Sequence, residues 1–89
     1  MASARIKARQ HSPAKSLGKY IESDPTVCGG EPVIKGTRVR VRDILELCAD
    51  GYRIEDISHS FPRVSPEAAV EAVHFAGEVL NKTYRTRRR

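Results

Sequence analysis

The sequence predicts a small, mainly α domain: a three-helix bundle of helix-turn-helix layout preceded by a short β-hairpin. Three observations predict it. The run Cys28-Gly-Gly-Glu-Pro-Val-Ile-Lys-Gly-Thr-Arg-Val-Arg-Val41 places glycines and a proline among β-branched residues, the composition of short strands joined by tight turns. From Val41 the apolar spacing lengthens from two to about three and a half, the period of a helix. Phe61-Pro62-Arg63-Val64 then breaks the helical pattern before it resumes.

The elements follow in order. Residues 1–19 have low hydrophobicity, charge of one sign and Ser12-Pro13 as a breaker, and read as a basic disordered arm. Tyr20-Ile21-Glu22-Ser23 form a short strand that Asp24-Pro25 ends. Val33-Ile34 and Thr37–Val41 form the hairpin, with Gly36 at a turn position that needs positive φ. Val41, Ile44, Leu45 and Cys48 mark one face of a first helix, which Asp50-Gly51 stops. A second helix covers about Ile54 to Ser60, with Ile54, Ile57 and Phe61 inward. Ser65 caps the third, Pro66 takes its first position and Glu67 its first turn. That helix runs to about Leu80 and is expected to bury Ala69, Val70, Val73, Ala76 and Leu80. Residues 20–80 are therefore the folded domain and 81–89 a basic tail. A core of about 60 residues buries only about 60% of its unfolded surface, so a homodimer joined through the strands is expected.

Charge is distributed unevenly. The net charge of +5 resolves into five bases and no acid in residues 1–19, five bases and no acid in 81–89, and six bases against eleven acids between them. Basic ends suit a polyanion or an acidic groove on a protein. Two cysteines, Cys28 and Cys48, are too few for a disulfide framework and lack a second pair for zinc. No nucleophile–base pair and no phosphate-cradling loop is visible. The chain reads as a non-enzyme with no metal and no cofactor. No apolar run reaches the roughly 20 residues of a membrane span, and a cytoplasmic location is expected.

Three basic groups are candidates for nucleic acid. Arg5, Lys7, Arg9 and Lys15 lie in the N-terminal arm, which can enter a minor groove. Lys35, Arg38, Arg40 and Arg42 alternate along the hairpin, so that the arginines share one side while Val39 and Val41 point inward. The alternatives for this stripe are a solvated edge strand protected by charge, or pairing of Arg38 and Arg42 with Asp43 or Glu46. The third helix exposes Glu67, Glu71, His74 and Glu78, which suits a packing surface better than a major-groove reader.

The block Gly30-Glu-Pro-Val-Ile-Lys-Gly-Thr-Arg-Val39, followed by Gly51, Ile54-Glu-Asp-Ile57, Phe61-Pro62, Ser65-Pro-Glu67 and Ala72-Val-His-Phe-Ala76, resembles a small prokaryotic family, domain of unknown function 433. The resemblance covers about residues 20–80. It implies a homeodomain-like helix-turn-helix and the role of an antitoxin in a type II toxin–antitoxin pair. Such a protein neutralises a PIN-like ribonuclease toxin and represses its own operon by binding operator DNA. In a PIN-like site, carboxylates hold Mg²⁺, and Arg85, Arg87, Arg88 and Arg89 of the tail, or alternatively the Arg38–Arg42 stripe, are expected to reach those carboxylates in bidentate fashion. The alternative is a protein-interaction module that neutralises a partner without specific DNA binding.

Overall fold

The computed structural model describes residues 14–84, in which three helices pack against a small three-stranded antiparallel sheet. The strands are β1 (Lys15–Ser16), β2 (Ile21–Ser23) and β3 (Pro32–Ile34), in that spatial order. The helices are α1 (Val41–Ala49), α2 (Ile54–Ser60) and α3 (Pro66–Thr83). About half of the described residues are helical.

The sheet differs from the expected hairpin. Ile34 pairs with Ile21 of β2, and Pro32 with Ser23. Toward the arginine run the ladder is a single bridge, Val33 to Arg40, with the Ile34 amide donating to Val39 O at 2.9 Å. The reason lies in Thr37. Its amide and hydroxyl both donate to Ile34 O, and its hydroxyl oxygen accepts from Val39 N. The chain is thus tied into a closed turn rather than an extended strand. Gly36 sits in that turn at φ +76°, the positive value its position demands. Lys15 and Ser16, assigned to the arm from sequence, form β1 opposite Ser23 and Glu22.

Helix ends follow side-chain chemistry. The N-cap residues of α1 and α2 are arginines, which have no acceptor for a capping bond. In each case the aspartate three residues on reaches back instead. The Arg40 amide donates to Asp43 Oδ2 and the Arg53 amide to Asp56 Oδ2, both at 2.9 Å. This is half of a capping box. Gly51, at φ +96°, follows the end of α1 as expected. Ser65 Oγ accepts from the Ala68 amide at 3.1 Å and caps α3.

The core is a cluster of Ile21, Ile34, Val41, Ile44, Ile57, Val64, Ala68, Ala69 and Ala72. Each isoleucine contributes about 1.5–3 kcal/mol by leaving water. The inward face of α3 is therefore carried by alanines at 68, 69 and 72, whereas Val70, Val73 and Leu80 are 43%, 40% and 58% exposed. This corrects the expected face. Small side chains let α3 approach α1, α2 and β2 closely, and the larger ones are turned away. Glu71 adds a polar tie: its carboxylate accepts from the Tyr20 amide at 3.0 Å and occupies the space that a β-carbon on Gly18 would fill. No helix of the described residues is long and apolar enough to cross a membrane.

Candidate functional site

The arginines of the hairpin motif are not equivalent once folded. Arg40, at the start of α1, holds Asp43 through Nη2 to Oδ1 at 2.8 Å and Nε to Oδ2 at 3.1 Å. That hydrogen bonding keeps the Asp43 carboxyl below its ordinary value, and the aspartate raises the guanidinium in return. Arg42 lies on α1 and pairs with Glu31. Arg38 stays in the turn and is exposed. The three do not share a strand face, because the chain enters the helix at Val41. Both arginines with carboxylate partners are poor candidates for phosphate, since the pairing would have to be given up first.

What remains is a basic corner. Lys35 and Arg38 flank the Gly36–Thr37 turn, and the Arg63 guanidinium lies over it, with Nη2 3.6 Å from where a Gly36 β-carbon would stand. Among the described residues no carboxylate lies within 4.0 Å of these three cations, whereas Arg40, Arg42 and Arg53 each have one. Between Arg38 and Arg63 is a depression of about 340 Å³ that Thr37, Val39, Ser60, Phe61 and Pro62 also line.

Both walls of this corner are held in place. The Phe61–Val64 turn is closed by the Val64 amide donating to Phe61 O at 2.8 Å, and Val64 is 1% exposed, so Arg63 projects from an anchored loop. The opposite wall is the Thr37-tied turn. The Glu22 carboxylate accepts from the Gly36 amide at 3.3 Å within this turn, so one acid borders the cluster. Among the described residues none of the three cations is ion-paired, however, and an anion is drawn in without breaking a pair. The corner adjoins the N-terminal end of α3, which Ser65 caps.

Of the residues singled out from sequence, Lys35 and Arg38 belong to this corner. Arg40 and Arg42 are tied to acids, and Lys15 lies on the edge strand β1. Arg5, Lys7, Arg9, Arg85, Arg87, Arg88 and Arg89 lie outside the described residues. Arg63 was missed. In the sequence it looks like part of a helix breaker, and its proximity to Gly36 arises from the tertiary fold alone.

Comparison with known proteins gives a family and no activity. A family model described as "Protein of unknown function (DUF433)" matches residues 21–76, more than half of the chain. An uncharacterized protein of Sinorhizobium fredii, y4eO, is 36% identical over 49 residues, 55% of this chain. The matched segment spans 22% of that longer relative. No solved structure matches the chain.

Proposed function

The chain belongs to the DUF433 family, and from that premise we propose that it is the antitoxin of a type II toxin–antitoxin pair. It binds and neutralises a PIN-like ribonuclease toxin and, as a cytoplasmic homodimer, represses its own operon. In this reading α2 and α3 form a homeodomain-like helix-turn-helix that contacts DNA through the backbone rather than by inserting an acidic helix into the major groove. The observation that carries it is the corner of Lys35, Arg38 and Arg63 at the junction of α2 and α3, three cations that form no ion pair among the described residues. The basic residues at both chain ends add charge of the same sign. The arginines of the C-terminal tail are the segment assigned to the toxin's carboxylates.

The test is a mobility shift on the DNA upstream of the gene at two salt concentrations. The triple variant Lys35→Ala, Arg38→Ala, Arg63→Ala is expected to bind more weakly, with a salt slope lower by about 3 for each bound protomer. Replacing Arg40 and Arg42 should leave the slope nearly unchanged. Equal binding by the triple variant and the parent would remove the corner from the account.

A second reading is favoured by α3 itself, whose Glu67 and Glu78 are exposed beside half-buried Glu71. These acids suit a protein partner, and an interaction module without specific DNA binding would show no selectivity in the same assay.

A further inference from the structure

α3 carries a second apolar face that the fold does not use. Val70, Val73, Gly77, Leu80 and Tyr84 recur at alternating spacings of three and four, the a and d positions of a heptad seam. All five are exposed, and Tyr84 reaches 71%. Beside them an apolar depression of about 390 Å³, lined by Pro32, Leu45, Phe75, Val79 and Leu80 among others, extends the surface onto α1. Contiguous exposed apolar surface of this kind marks an interaction site.

Gly77 is an independent observation. It sits inside an 18-residue helix, where glycine is less favourable than alanine. A β-carbon there would meet nothing within 4 Å, so the single chain has no steric use for the glycine. Close approach of another backbone supplies one.

We infer that α3 pairs antiparallel with α3 of a second copy, crossing at Gly77, to make a two-fold homodimer. The seam is self-complementary about that residue. Symmetry sets Val70 against the partner's Tyr84 and brings Val73 level with the partner's Asn81, one residue from the partner's Leu80, with glycine facing glycine. The flanking positions His74, Ala76, Asn81 and Thr83 carry no carboxylate, so two copies meet without like-charge repulsion.

Other occupants fit less well. Residues 1–13 hold only Met1 and Ile6 as large apolar side chains, and residues 85–89 hold none. Neither chain end can fill an apolar seam. Edge-to-edge sheet pairing, the contact expected from sequence, would rest on a two-residue β1. The core supplies the motive: three of its nine clustered residues are alanines, and a small domain gains most from added apolar burial.

The pairing has one consequence that rests on the DNA-binding reading. Ser65 lies twelve residues before Gly77, so the two basic corners stand about 36 Å apart along the paired helices at 1.5 Å per residue. That is close to one turn of B-DNA, the spacing of paired half-sites.

The test uses no DNA, so its failure leaves the DNA reading standing and the reverse. Sedimentation equilibrium of the full chain at micromolar concentration should report a dimer. Leu80→Glu, at an exposed position, should keep the helical circular dichroism and weaken the dimer roughly hundredfold. In a background of Cys28→Ser and Cys48→Ser, Gly77→Cys should cross-link to itself with copper phenanthroline, because only a close crossing brings two Cα atoms within about 7 Å. Glu67→Cys should not. A monomeric parent, a dimer indifferent to Leu80→Glu, or no self-cross-link at position 77 would each overturn the proposal.

Discussion

The two halves of α3 are written in similar residues and end in different surroundings. Ala72 is fully buried, while Val79, seven residues on and on the same side of the helix, is 44% exposed. Glu71 bonds the Tyr20 amide, while Glu78 at the equivalent position is exposed and forms no ion pair. The difference comes from what lies opposite. The first half runs over α1, α2 and β2, and the second half continues past them, every residue from Gly77 to Tyr84 being exposed. Apolar content does not decide which residues are inside. The neighbour decides, and where the neighbour is close it selects the smallest side chain.

The largest effect should separate Ala72 from Val79. Ala72→Leu forces three extra heavy atoms into a filled contact and is expected to cost about 1–3 kcal/mol or more. Val79→Leu, with open space on one side, should stay within about 0.5 kcal/mol. Urea unfolding in a Leu80→Glu background, which keeps the chain monomeric, measures both. Similar costs at the two positions would mean that the second half of α3 is supported by the domain after all.

This contrast also explains what the sequence could and could not disclose. Local chemistry was legible: Ser65 and Pro66 mark the start of α3, Gly51 the end of α1, Gly36 a positive φ, and Asp24-Pro25 a turn after β2, where the Asp24 carboxylate accepts from the Thr26 amide. The inward face of α3 was not, because Val70, Val73 and Leu80 outweigh Ala68, Ala69 and Ala72 on any hydropathy scale. Helix-to-helix distance, a tertiary quantity, reverses that ranking. The hairpin failed for a related reason. Val39 and Val41 have strand-forming side chains, but the Thr37 hydroxyl and the Asp43 cap capture the intervening backbone first. The candidate site was half legible: Lys35 and Arg38 are in the motif, whereas Arg63 joins them only across the folded chain. The carboxylate partner of Arg42 is Glu31 rather than the Asp43 or Glu46 beside it, Asp43 being held by Arg40.

A smaller effect tests the polar side of the comparison. Glu71→Ala removes the bond to the Tyr20 amide and should cost about 1 kcal/mol, while Glu78→Ala should cost close to nothing. Gly18→Ala places a methyl group where the Glu71 carboxylate sits, so it should destabilise by displacing that carboxylate. The two changes share one interaction, and together they should cost less than their sum. Additive costs would show that Glu71 does not tie the Leu17–Tyr20 turn to α3. Thermal unfolding of the three single variants and the double variant decides it.

The smallest effect distinguishes Gly18, which packs against α3, from Gly77 within α3, and it has the opposite sign. Gly18 is required by the close approach of Glu71, so alanine there is unfavourable. Gly77 faces open space within the protomer, so Gly77→Ala should stabilise the monomer by about 0.5–1 kcal/mol through the backbone alone. The same methyl group would stand between two crossing helices in the dimer and weaken association. Unfolding measured well below the dissociation constant should therefore shift to higher urea, while sedimentation at higher concentration shows a looser dimer. If both quantities rise together, Gly77 is not a crossing point, and the exposed half of α3 awaits a different occupant.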